Sequence, residues 1–185
     1  VSTAPVNRLA DLVSGAPSLD HLRAFRFRPL LLVNLKLLGR DLLADTVVWT
    51  PANDDPFFRL TEAPRSMPWL APEGRTMILA EIGADVGDHN WQCSDDELVQ
   101  RCAVALERYV PGAVGALLGG SVLRSTIAYP VFLLDYEAQR QRWAASSGID
   151  GLISVGRNGE FDHILMEDIY WRTLQRLRSW MATQR

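Results

Sequence analysis

The residues of this chain whose types and spacing could do chemistry lie close together near its end, in GLISVGRNGEFDHILMEDIY, residues 151–170. A short apolar run from Gly151 to Val155 reads as a brief buried strand that delivers the chain to Gly156, Arg157, Asn158 and Gly159. From there the chain turns into a final helix. Glycines let main-chain amides come close to a ligand, a guanidinium fork matches a phosphate, and a helix N-terminus offers unpaired donors to an electron-rich oxygen. This strand-glycine-helix unit suits a phosphate-bearing ligand. The same residues also make an ordinary tight turn whose arginine forms a surface ion pair, and residue types alone do not choose between the two.

Elsewhere the chemical signals are weaker. Cys93 and Cys102 stand nine positions apart with no CxxC, which reads as two buried or incidental thiols rather than a zinc or redox motif. His21, His89 and His163 are dispersed, so no metal is expected, and Asp88-His89 reads as a solvated loop. Ser146-Ser147-Gly148 lacks the GxSxG of a nucleophile elbow. Glu167 and Asp168 open the last helix, where acidic residues complement the dipole. No side chain stands out as a catalytic acid or base, so no catalytic residue is assigned.

The elements that must position the glycine-arginine turn follow from periodicity. Leu9, Leu12 and Val13 share one face of a first helix after Pro5, with Val1 to Thr3 reading as the tail of a strand. Phe27 to Leu38 alternates, with Leu31, Val33, Leu35 and Leu37 on one face and Leu32, Asn34, Lys36 and Leu38 on the other. Asp45 to Thr50 predicts a second strand and Phe57 to Leu60 a partner for it. A proline-rich segment with Pro64, Pro68 and Pro72 predicts a loop, and Thr76 to Ile82 another strand. Ser94 and Glu97 make a capping box for a helix over Asp95 to Val110, which Pro111 and Gly112 end. Ser121 to Leu134 reads as extended, Asp135 to Ala145 as a short helix, and Met166 to Ala182 as the last. These elements make an α+β fold: a mixed, largely antiparallel sheet with flanking helices, followed by a C-terminal strand-turn-helix.

With 185 residues, 48% of them hydrophobic and 22% charged, the chain can bury a real core, which excludes a disordered tail. Two cysteines exclude a disulfide-stapled miniprotein. A net charge of −3 gives no global case for nucleic acid as partner. The longest apolar-rich stretch, Pro29 to Leu38, falls short of the ~20 residues of a membrane helix, so no transmembrane segment is expected. The opening VSTAPVNRLADLV has neither an initiator methionine nor a secretory pattern. The expectation is therefore a cytoplasmic protein and the C-terminal part of a longer polypeptide.

GRNGEFDHILMED resembles the C-terminal flavin-contacting motif of the superfamily of FAD-dependent amine oxidases, protoporphyrinogen oxidases and UDP-galactopyranose mutases. STAPVNRL, RPLLLVNL, PFFRLTEAPRSMPW, APEGRTMILAEI and AYPVFLLDYE are similar to stretches of the same superfamily in the same order. The resemblance implies that Gly156, Arg157, Asn158, Gly159 and Met166 contact FAD, with Glu167 in the place of the family's usual aspartate. It implies that residues 1–19 end a segment of the FAD-binding domain, residues 20–135 form a substrate-binding sheet domain, and residues 136–185 return to the FAD-binding domain. Arg59 and Tyr129 would then line the substrate cleft, Arg59 being able to hold an anionic group of a small-molecule substrate. The GxGxxG fingerprint that binds the ADP half of FAD does not occur in the chain, so a nucleotide-binding segment N-terminal to it is the implied partner. Asp162 would repel the FAD phosphates if it pointed at them. The activity implied is an amine oxidase-like oxidoreductase taking a hydride from a C–N or C–C bond. The alternatives are a mutase-like flavoenzyme acting on a nucleotide sugar, favoured by GR at the turn, and a non-catalytic module that has lost the cofactor.

Overall fold

The computed structural model describes residues 1–183. Its regular elements, in chain order, are α1 (Val6–Leu12), β1 (Phe27–Leu38), β2 (Val47–Trp49), β3 (Arg59–Thr61), α2 (Ala63–Ser66), β4 (Arg75–Gly83), α3 (His89–Gln92), α4 (Asp95–Leu106), α5 (Ala113–Ala116), β5 (Leu117–Pro130), α6 (Glu137–Ala145), α7 (Arg157–Glu160) and α8 (Met166–Thr183). They form two compact units: a sheet unit, Arg28–Ala128, and a terminal unit made of Val1–Phe27 with the described residues from Tyr129 onward. The fold class is α+β.

The sheet unit carries five strands in the order β2-β3-β4-β1-β5. β1 and β4 pair antiparallel with Val33 opposite Ala80 and Leu35 opposite Ile78. β2 and β3, then β3 and β4, are also antiparallel. Because side chains alternate along a strand, the predicted apolar face of β1 packs as a set: Leu31, Val33, Leu35 and Leu37 are buried with Ile78, Ala80 and Ile82 of β4. Against them lie Leu98, Val99, Cys102 and Leu106, one face of α4. Ser94 caps α4 by accepting from the Glu97 amide, as the capping box predicts. The helix stops at Leu106, four residues before the expected Val110, and its last amides are drawn into short turn bonds ahead of Pro111.

The terminal unit is built around aromatic rings. Phe161 is fully buried and meets Phe25, Phe27 and Phe132, with centroids 4.4, 5.3 and 5.7 Å away. Val6 and Leu9 of α1 and Leu19 and Leu22 of the following turn are buried in the same unit. The strand expected over Gly151 to Val155 is reduced to one parallel bridge, Ser2 with Ser154, held by two main-chain hydrogen bonds. A run of this length needs neighbours to become a strand, and among the described residues it has a single bridge partner.

Candidate functional site

The turn after this bridge begins at Gly156, whose backbone (φ 87°, ψ 166°) lies in a region essentially closed to residues with a Cβ. A Cβ placed there would meet open space, so the glycine serves the conformation and leaves the main chain uncovered on that side. Arg157 to Glu160 then make the single turn α7, and Phe161, at φ 52°, reverses the chain. Gly159 has a different duty. A Cβ on it would stand 2.7 Å from Ser154 Oγ, the hydroxyl that donates to the Gly159 carbonyl together with Trp143 Nε1.

Arg157 spends Nε and Nη2 on one acceptor, the Ile164 carbonyl, at 3.2 and 3.1 Å. Its guanidinium also stands 5.7 Å from the centroid of the Tyr129 ring. It thereby braces residues 161–165, the loop that launches α8, and leaves Nη1 as its remaining donor group. Tyr129 belongs to this cluster, since its ring also lies 5.7 Å from that of His163. Asn158 Oδ1 is buried with no hydrogen-bond partner. The three other such atoms among the described residues, on Asn7, His21 and Gln139, all belong to the terminal unit as well.

Charges around the turn are balanced. The Glu160 side chain, 5% exposed, accepts from the Gly156 amide and faces Arg172 and Arg176, each at 3.7 Å. Asp162 accepts from Arg172 at 2.6 Å and from the His163 amide. Its carboxylate is thus tied to α8 by a cation. Met166 begins α8, as the periodicity predicts, and is 86% exposed, beside an exposed Leu165. Glu167 is exposed in the first turn, and Asp168 accepts from the Leu165 amide. A helix start leaves its first amides without intrahelical partners, so the Met166 end presents donors next to an apolar surface.

Arg59 belongs to the sheet unit. It stands opposite Trp49 on β2 and Glu81 on β4, donates to Glu81 at 2.6 Å, and lies 5.1 Å from the Trp49 ring centroid. Glu81 is 4% exposed, so the pair places a balanced charge, capped by an indole, across three strands. A concavity of about 720 Å³ in the terminal unit is lined by residues 143–154, Glu160 and α8 side chains including Arg176, and does not include Gly156 to Gly159. Of its two carboxylates, Asp150 and Glu160, the second is already committed to two arginines.

Sequence reasoning missed one grouping. His89, set aside as part of a solvated loop, lies 3.7 Å from Cys93 Sγ through Nε2, and Glu97 reaches the same place. The signal was a spacing of four from His89 to Cys93 and four again to Glu97.

No family model and no curated protein matches this sequence. Solved structures do share its fold. A reduced UDP-galactopyranose mutase superposes with a TM-score of 0.67 over 85% of this chain and 35% of its own, at 16% identity. A putative protoporphyrinogen oxidase from Exiguobacterium sp. 255-15 superposes with a TM-score of 0.58 over 77% of this chain and 32% of its own, at 17% identity. The chain has the fold of these proteins over most of its length and spans about a third of theirs. Among the described residues no helix is long and apolar enough to cross a membrane.

Proposed function

We propose that this chain is the substrate-sheet and flavin-closing portion of an FAD-dependent oxidoreductase, completed by a nucleotide-binding segment. The observation that carries the reading is the buried, unpartnered Asn158 oxygen in the turn that Gly156 leaves uncovered. A buried acceptor without a donor is costly, and a hydroxyl-bearing ligand such as the ribityl chain of FAD would satisfy it. Gly156 would give such a ligand access to the main chain, Arg157 Nη1 would be the donor left for its phosphates, and the Met166 end of α8 would supply amides to the carbonyl edge of the flavin ring. Asp162, held by Arg172, does not oppose this. FAD, when bound, supplies the hydride acceptor, and the protein supplies orientation and electrostatics. Arg59 and Tyr129 are the substrate-side residues in this reading. With Glu81 balancing its charge, Arg59 orients a substrate group more than it attracts an anion.

The terminal unit itself fits a completing segment. All four orphaned polar atoms among the described residues lie in it, and α8 exposes Met166, Tyr170, Trp171 and Met181. Residues 1–19 and 136–185 then belong to the FAD-binding domain and residues 20–135 to the substrate domain. The test is expression of the chain with its full N-terminal coding context and gentle purification. Bound flavin, seen in the visible absorbance and released on denaturation, is the expected result. A folded complete protein that neither retains FAD nor takes it up on addition would remove the proposal.

A further inference from the structure

We propose that His89, Cys93 and Glu97 form a binding site for a divalent cation of the zinc class, a site independent of the flavin reading. The imidazole nitrogen, the sulfur and a carboxylate oxygen all lie within 4.8 Å of one another. In a tetrahedral zinc centre with bonds of about 2.0–2.3 Å, ligand atoms stand roughly 3.3–3.8 Å apart. His89 Nε2 and Cys93 Sγ, at 3.7 Å, already have that separation. Glu97 is exposed, and its carboxylate has at most about 1.5 Å to close.

The backbone at all three positions is fixed without a metal. His89 opens α3, which Asp88 caps by accepting from the Trp91 amide. Glu97 lies in the first turn of α4, under the Ser94 cap. Cys93 sits at the extended break between the helices, where Arg124 of β5 donates to the carbonyls of Trp91 and Cys93. The thiol is buried, whereas His89 and Glu97 face solvent, so an ion can reach a sulfur that bulkier reagents reach poorly.

Arg101 completes the arrangement. Its Nη1 lies 3.4 Å from Cys93 Sγ, and its Nη2 donates to Asn90 at 3.0 Å. A donor aimed at sulfur is the outer partner that a metal-bound thiolate uses. A dication with one thiolate, one carboxylate and a neutral imidazole carries no net charge, so the guanidinium meets no repulsion. On binding, the Cys93 proton leaves to solvent as the sulfur-metal bond forms, and no oxidation state changes. Nitrogen, sulfur and a single carboxylate select zinc over magnesium or calcium, which require oxygen sets. A water takes the fourth position, and the ion clasps α3 to α4.

The test uses the whole chain, reduced and metal-free, titrated with Co²⁺ and then Zn²⁺. One equivalent of Co²⁺ should give a near-ultraviolet thiolate-to-metal band that Zn²⁺ displaces. Cys93→Ser should abolish the band, and His89→Ala and Glu97→Gln should each weaken binding at least about tenfold. These last two positions are exposed, so circular dichroism should find both variants folded and able to decide the question if Cys93→Ser is not. Absence of a thiolate band at one equivalent, or wild-type affinity in His89→Ala, would overturn the proposal.

Discussion

Replacing Asn158 with leucine keeps the branched shape of the side chain and removes its polar atoms, and this should make the chain more stable while making it a worse flavin binder. The oxygen of Asn158 is buried without a partner although the residue as a whole is half-buried. An unsatisfied buried acceptor costs about 1–3 kcal/mol, and partial exposure puts this one near the lower end, about 1 kcal/mol. Leucine is also the better helix former, which adds a few tenths of a kcal/mol within α7. For a chain of this size 1 kcal/mol moves the melting temperature by about 2–4 °C, so Asn158→Leu should raise it by roughly that amount. Scanning calorimetry, with urea midpoints as a second readout, measures the shift; the urea slope should not change. In the complete flavoprotein the same substitution should weaken FAD binding by about tenfold, the equivalent of 1.4 kcal/mol. A lower melting temperature would mean that Asn158 has a partner in the folded chain, and the reasoning from an orphaned oxygen would fail. Higher stability with unchanged FAD affinity would separate the oxygen from the cofactor.

Gly159→Ala should destabilise by about 1–3 kcal/mol, because the new methyl would stand 2.7 Å from a serine hydroxyl already fixed to the Gly159 carbonyl. In a Ser154→Ala background the same change should cost much less, and equal costs in both backgrounds, measured by urea denaturation, would refute the steric account. Burial pushes the Cys102 thiol up to about 12 from the 9.0 of a free thiol. The unfolded chain therefore loses this proton first, and stability should fall as pH rises from 9 towards 12. Cys102→Ser should flatten that part of the stability-pH curve, and an unaltered slope would show that other groups dominate.

Local pattern was sufficient where each residue's role depends on its near neighbours. The alternation of Phe27–Leu38 and the 3–4 spacing of α4 were readable because an extended chain and a helix repeat at different periods, and the Ser94 cap because it bonds three residues on. The start of α8 at Met166 was readable for the same reason. The strand over 151–155 was not, since a strand exists only through the partners that the rest of the chain supplies. The sheet order β2-β3-β4-β1-β5, with sequence neighbours β4 and β5 separated by β1, is likewise a matter of long-range pairing.

At the turn itself, composition determined that glycines and an arginine follow an apolar run and precede a helix, and that much is enough to raise a phosphate-bearing ligand. Tertiary structure decided what those groups do. Arg157 braces the Ile164 carbonyl beside Tyr129, Glu160 is buried between Arg172 and Arg176, and Asn158 is left with an unmatched oxygen. None of these is a property of residue type or spacing. Each depends on which groups the folded chain brings within hydrogen-bond reach, and on which it shields from the water that would otherwise satisfy them.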